Sequence, residues 1–519
     1  MKPGSSYRLH FVKAALLLLL PASLHAQRVW NAGDEGDKDW ATAENWVNSL
    51  PPTSSTDARF EVNPNSGAEV TVAVSGEVEA RGIQVMLGKS VTLNLAGGAE
   101  LKTTGANSLM RVGYSGGTGT GTGASHLIVN GAGAAGATFD LGQTQIGASG
   151  SAADGNTLTL KGNLTVLDSA GLDMVIGRFG NGQRLIVSDG ADVTRHGIQL
   201  ASGASSGGLS GNGISVTGEE SILKITGGRL TVGDVGGAFG NFVEISDQAT
   251  LQLNASRNLL IGNAAGTNLG GNVVEVGHGS TLKTAGEIQI HSHTVTGGED
   301  THGANRLTIE SGGTLTSSST IGNSGLLQLS EGATLAGKTL TGGAATLEVT
   351  TEAGGRFEAA GAGIGATVTS SIREGATLAV GITGADLAST LTLQSTVNLE
   401  AGSTLELTLF GSGVNDGIEL VSGGLLHLEG PVVLSLELAE GYQPAAGDSW
   451  QLFRGNLAGI SGDGIFDVTG YDPAIWDFSG LNADDGWRVA VIPEPGSVSL
   501  FLFSLAGGMA FWWRRRRVA

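Results

Sequence analysis

The segment HSHTVTGGEDTHGAN, residues 291–305, crowds His291, His293, Glu299, Asp300 and His302 into one short stretch of chain. A His-x-His pair on an extended strand presents both imidazoles on one side, because side chains alternate with a period of two, and imidazole nitrogen suits zinc or copper. Three of the five groups fall in a glycine-containing loop, and no glutamate stands as a defined general base. The segment therefore reads first as a solvated corner, with metal binding at His291, His293 and His302 as the sharper alternative. Other acids, among them Asp189, Glu219, Glu220, Asp247 and Glu331, occur in turns between apolar strands, where hydration accounts for them. Glycoside hydrolysis needs two carboxylates at a set separation, and no repeat gains a carboxylate cluster with a basic partner. GDEGDKD, residues 33–39, is rich in oxygen ligands but lacks EF-hand spacing. The expectation is a chain with no catalytic residue, no metal and no cofactor.

The elements that carry these residues are repeats. LIVSDGADV (185–193), VEISDQATL (243–251), VEVGHGSTL (274–282), LTIESGGTL (307–315) and LQLSEGATL (327–335) each place apolar residues at positions one, three and nine around a small or polar turn. LTLKGNLTV (158–166), ISVTGEESI (214–222), VNLEAGSTL (397–405), LNLAGGAEL (93–101) and, more weakly, LIVNGAGAA (127–135) follow the same plan. Further along most of the longer units lies a short strand ending in glycine: QIG at Gln145, VIG at Val175, TVG at Thr231, LIG at Leu260 and TIG at Thr320. Short alternating strands cornered by glycine at a period near thirty residues predict a parallel β-helix, an all-β solenoid whose inward residues stack into one core. A propeller needs about 40 residues per blade and tolerates varied periods poorly; a row of sandwich domains is the other architecture. Aromatics reappear in GDSWQLF (447–453) and WDFSGLNADDGWRVAVI (476–492), as expected of a β cap on an open terminal rung. At the other end, Trp30, Trp40 and Trp46 are expected to cover the first rung, the alternative being a sugar-stacking platform.

Composition narrows the partners. The 519 residues include 87 glycines and no cysteine, with a formal net charge of −20. Collagen is excluded because the glycines have no three-residue period. Disulfides, thiolate metal sites and cysteine nucleophiles are excluded outright. Setting aside Lys2, Arg8, Lys13 and Glu494 with Arg514, Arg515, Arg516 and Arg517 leaves 21 of the 28 basic residues against 47 of the 48 acidic ones. Such a body is a poor partner for nucleic acid, whose phosphates require clustered positive charge.

The two ends read as targeting segments. MKPGSSYRLHFVKAALLLLLPASLHAQ has a basic start, an apolar run from Ala14 to Leu20 and a small residue at Ala26 where a signal peptidase would cut, although Leu24 departs from the small-x-small ideal. At the other end, Pro493-Glu494-Pro495 precedes an apolar stretch from Val498 to Trp513 and the run Arg514–Arg517. Sixteen helical residues rise about 24 Å, short of a hydrocarbon core of roughly 30 Å, and the arginines would stay on the cytoplasmic side. A membrane-crossing tail with an N-terminal signal puts the body outside the cell.

The C-terminal pattern resembles a PEP-CTERM sorting signal, and the repeats with their GATL and GSTL turns resemble autotransporter-associated β-strand repeats. The first resemblance implies recognition of Pro493, Glu494 and Pro495 by an exosortase-type enzyme, transient membrane anchoring through the C-terminal helix, and delivery outside the cell, often together with extracellular polysaccharide. The expected organisation is a signal peptide over 1–26, a Trp-rich cap over 27–70, β-helix repeats over 71–420, a β cap over 421–491 and the sorting segment over 492–519. The expected function is that of an exported structural or adhesive protein of the cell surface or matrix. The rival reading is a β-helical lyase or hydrolase acting on polysaccharide, since the fold serves both. An autotransporter passenger is disfavoured because the chain closes on one apolar span rather than on barrel strands.

Overall fold

A computed structural model describes residues 27–492 apart from corner and loop segments, the longer of which are 32–37, 62–67, 115–122, 149–153, 203–208, 263–269, 292–304, 382–386 and 482–487. The expected signal peptide with Ala26, and Pro493, Glu494, Pro495 and Arg514 to Arg517, lie outside the described residues. Among the described residues there is no α-helix, only two short 3₁₀ turns, and no helix long and apolar enough to cross a membrane.

The chain is a three-faced parallel β-solenoid. Its first full rung consists of Glu69–Val74 on face one, Glu77–Ala80 on face two and Gly82–Met86 on face three. Face one is a sheet of 15 parallel strands, and faces two and three form a sheet of 30. These two faces merge because Thr334–Gly342 and Arg356–Ile364 run straight through the corner between them, pairing with strands of both columns.

Inward residues explain the stacking. Leu93, Val129, Leu160, Val187, Val216, Ile245, Val276 and Ile309 pair rung upon rung in one column, and none of them is accessible to solvent. Each such side chain contributes roughly 1.5–3 kcal/mol by burial. On two faces of the rung beginning at Arg184 the alternation is visible directly, with Leu185, Val187, Val193 and Arg195 inside and Ile186, Asp192 and Thr194 half-buried outside.

The register corrects part of the expected alignment. Leu127 stands on Val91, not on Leu93. VTLNL offers inward residues at 91, 93 and 95, and a slip by two preserves every side chain's face, so period-two patterning cannot choose between them. A two-residue slip likewise puts Gln289 opposite Gly322 rather than Thr320. In ISVTGEESI the ninth position is taken by Leu223, which stacks on Val193 while Ile222 faces Asp192, because the turn there is one residue longer.

Aromatics gather at both ends of the stack. Trp30, Trp40 and Trp46 are no more than 1% exposed and pack on one another and on Phe60 with ring centroids 5.0–6.2 Å apart. Burial to this degree leaves no ring face for a ligand, so the platform alternative is overturned and the covering role stands. At the other end, parallel stacking continues past 420 through Leu425–Glu429, Val432–Leu438 and Phe453–Gly455 to Ile460–Gly462 and Phe466–Asp467. The expected cap boundary at 421 therefore falls within the stack. The non-solenoid part is an antiparallel sheet of Ser449–Gln451, Arg488–Val491 and Trp476–Asp477, with Trp450, Trp476, Tyr471 and Phe478 in mutual contact.

Candidate functional site

Of the five candidate ligands in the expected metal segment, one is described. His291 is half-buried, and burial pulls its imidazole below the ordinary value. His293, Glu299, Asp300 and His302 lie outside the described residues. Among the described residues no group of three potential ligands could hold a metal ion. Asp189, Glu219, Glu220 and Asp247 are exposed turn residues; Asp189, Glu220 and Asp247 adopt the left-handed backbone at φ 55°, 64° and 54°. Glu331 lies outside the described residues.

Residues far apart in sequence meet where face two turns into face three. Asp140 from one rung and Asp168 and Asp173 from the next surround Arg195 and His196 of the rung after. Arg195 is fully buried; its guanidinium donates to the carbonyls of Leu141, Gly142 and Leu172 at 3.0–3.3 Å and lies 3.6 Å from Asp168. Burial pulls this guanidinium below its ordinary value, and the three carboxylates oppose that shift. Asp168 also accepts the His196 backbone N–H at 2.7 Å, while Asp140 accepts from the backbone N–H and hydroxyl of Ser169. This gathering overturns the expectation that no carboxylates cluster about a base. The sequence could not show it, because the members are brought together only by stacking. Asp140 and Asp168 are both engaged in holding the corner.

Asp173 alone of the three lines the adjoining groove. Its Oδ1 pairs with His196 Nδ1 at 2.8 Å, and its Oδ2 accepts from Gln199 Nε2 at 3.2 Å. Two glycines make room for this arrangement: a Cβ at Gly228 would lie 2.8 Å from Asp173 Oδ1, and one at Gly227 would lie 1.9 Å from His196 Cδ2. Beside the pair a groove of about 490 Å³ runs over face three, lined by Asp173, Gln199, Arg229, Asn258, Leu260 and Gln289. Arg229 stands 4.0 Å from Asp234, whose carboxyl burial pushes above its ordinary value against the pull of Arg229. Asn258 Oδ1 accepts the Glu287 backbone N–H at 3.2 Å, and Gln289 Nε2 donates to Glu287 Oε2 at 2.7 Å.

A second polar structure lies inside the core, and sequence reasoning missed it. Asn156, Gln183, Asn212, Asn241, Asn272 and Asn305, all inaccessible to solvent, stack at the corner between faces three and one. The amides of Asn156, Asn212, Asn241 and Asn272 each donate to the side-chain oxygen of the next member at 2.8–3.1 Å, whereas at Gln183 the amide donates to the Asn181 carbonyl and the backbone N–H reaches Asn212 Oδ1, both at 3.0 Å. Asn305 ends the series on the carbonyl of His291 at 2.8 Å. The signal was present: an amide sits two residues before Leu158, Leu185, Ile214, Val243, Val274 and Leu307. The ladder also explains the glycines that end the face-three strands. Gly177 and Gly233 have φ of 71° and 82°, and a Cβ there would lie 2.4 Å from Asn212 Cγ and 2.7 Å from Asn272 Oδ1.

Comparison of the chain with protein-family models returns no match, and comparison with curated proteins returns none either.

Proposed function

We propose that this chain is an exported structural or adhesive protein of the cell surface or extracellular matrix, delivered by its N-terminal signal and sorted through its C-terminal tail. The observation that carries this reading is the unbroken stack of 15 parallel strands on face one. At about 4.8 Å per step it makes a rod of roughly 65–70 Å, and its first rung is covered by an aromatic cluster rather than left as a pairing edge. A stiff rod with a polar exterior suits a spacer or scaffold.

Among the described residues the final strand is Arg488–Val491, and the Ile492 backbone N–H donates to Ile475 O at 2.7 Å. Pro493 follows at once in the sequence, so the proposed recognition motif begins immediately after the last described residue. In this reading Pro493, Glu494 and Pro495 meet an exosortase-type enzyme, and the apolar stretch with Arg514 to Arg517 is a transient membrane anchor.

Mass spectrometry of the native C-terminus combined with cell fractionation tests the proposal. An extracellular protein ending near Pro495 is the expected result; an intact arginine tail on cytoplasmic protein would overturn it.

The gathering of Asp140, Asp168 and Asp173 favours the alternative, a polysaccharide-active enzyme. Against it, Asp173 is the one carboxylate among the described residues lining the groove, whereas glycoside hydrolysis requires a pair flanking the bond. Release of reducing ends from polysaccharide, lost in Asp173→Asn, would establish the enzyme in place of the scaffold.

A further inference from the structure

We propose that the face-three groove binds a neutral, hydroxyl-rich polysaccharide chain lying along the solenoid axis, an assignment that rests on the extracellular scaffold reading. The shape comes first. Val175, Gln199, Thr231, Leu260 and Gln289 occupy one stacked position on five consecutive rungs, so the face beneath the groove extends about 19 Å along the axis. A site that is long in one direction and open along it fits a segment of polymer better than a compact metabolite.

The chemistry of the lining fits hydroxyl groups. Each amide is held by one bond that leaves another polar atom to be used. Gln199 donates its amide N–H to Asp173, which orients its Oε1 as an acceptor, and Gln289 is oriented in the same way by Glu287. Asn258 has its Oδ1 occupied by the Glu287 backbone, which turns its Nδ2 into the available donor. Arg229, 55% exposed, adds guanidinium donors. Acceptors at Gln199 and Gln289 therefore bracket donors at Arg229 and Asn258 along the groove, and a sugar hydroxyl, being both donor and acceptor, can satisfy either kind. Leu260 supplies an apolar floor for the C–H face of a ring.

Charge and topology select against other polymers. Asp173 lines the groove, and Asp234 and Glu287 flank it, against Arg229 and the half-buried His196; the chain as a whole carries −20. A polyanion would be repelled. An extended peptide is a poor fit, because the groove floor lies in the interior of a continuous sheet with no free strand edge to pair with, and one apolar side chain provides no series of specificity pockets.

The test is calorimetric titration of the full chain with the neutral hexasaccharides of β-1,4-glucan, β-1,4-xylan, β-1,4-mannan and α-1,4-glucan, and with hexagalacturonate as the acidic probe. At least one neutral hexasaccharide should bind. Its affinity should fall about tenfold or more when Gln199→Ala and Gln289→Ala are combined, the scale of losing one or two hydrogen bonds. Leu260→Lys, at an outward position, should block the groove while leaving the core untouched, which keeps the proposal testable if the double variant misfolds. Lys224→Ala on face two should bind as the parent does. No neutral hexasaccharide binding, binding indifferent to Leu260→Lys, or preference for hexagalacturonate would each overturn the proposal. Because this titration is done on purified protein, its failure is distinct from failure of the sorting reading, which fractionation decides.

Discussion

Asn212 donates from Nδ2 to Asn241 Oδ1 at 3.1 Å across two adjacent rungs, and both side chains are inaccessible to solvent. The same Asn241 oxygen also accepts the Asn212 backbone N–H at 3.1 Å, so one side chain both satisfies the corner of the rung below and fixes its height. Buried amides are tolerable only when paired, which makes the ladder a register device as well as a source of cohesion. Asn241→Ala would leave the Asn212 donors without their acceptor. Each newly unpaired buried group costs about 1–3 kcal/mol. Urea unfolding should show a clearly lowered midpoint for Asn241→Ala and an unchanged one for Asn398→Ala, whose side chain points outward; equal midpoints would remove the ladder's structural role. Hydrogen exchange should rise mainly in neighbouring rungs, because solenoid coupling is between nearest neighbours.

Two glycine substitutions separate backbone strain from crowding. Gly177 and Gly240 both have positive φ, 71° and 58°, but a Cβ at Gly177 meets Asn212 at 2.4 Å whereas one at Gly240 meets nothing within 4 Å. Gly240→Ala should lose only the left-handed backbone penalty, about 1–2 kcal/mol. Gly177→Ala should lose more, with the excess seen as a larger drop in thermal midpoint. Identical drops would mean that the corner has room to relax around the new methyl group.

Arg195→Met should be among the most damaging single changes in the chain. It removes donors from three buried carbonyls and strands Asp168, which is 2% exposed beside it. Breaking one half of a buried ion pair costs about 3–5 kcal/mol. Arg195→Lys should not restore stability, because an ammonium cannot reproduce the planar fork that reaches three acceptors. Denaturant midpoints of the two variants provide the comparison, and near-parental stability of the lysine variant would contradict the clamp.

Acid should weaken the fold through His291. Burial lowers its folded pKa below the ordinary 6.5, so between those two values the unfolded chain binds more protons than the folded one. Stability is then fully present above 6.5 and falls as pH drops through that window. Thermal midpoints measured across it should decline more steeply for the parent than for His291→Gln. Parallel pH profiles would show that this imidazole does not contribute.

The stacking itself was legible in the sequence, since apolar residues two apart, followed by a small-residue turn, mark an inward-facing strand wherever they recur. What that pattern lacked was phase. The slips at Leu93 and at Thr320 are both by two residues, the displacement that leaves inside and outside unchanged; where the slip was odd, at Ile222, a longer turn was the cause. The groove was illegible for a different reason. Asp173, Gln199, Arg229, Asn258 and Gln289 come from five rungs and share no local motif, while the His-rich segment that looked most like a site shared one.

The sequence alone determined that this chain would form β-rungs cornered by glycine, with acidic turns and without thiol chemistry, because alternation and backbone freedom are local properties. It also carried Pro493-Glu494-Pro495 and the run Arg514–Arg517, which we propose act as linear signals. Tertiary structure decided the height at which each rung sits, and hence which outward residues share a face. Neighbours on that face are some thirty residues apart along the chain and about 4.8 Å apart in space. The buried amide ladder, the Arg195 corner and the groove beside Asp173 exist only at that spacing.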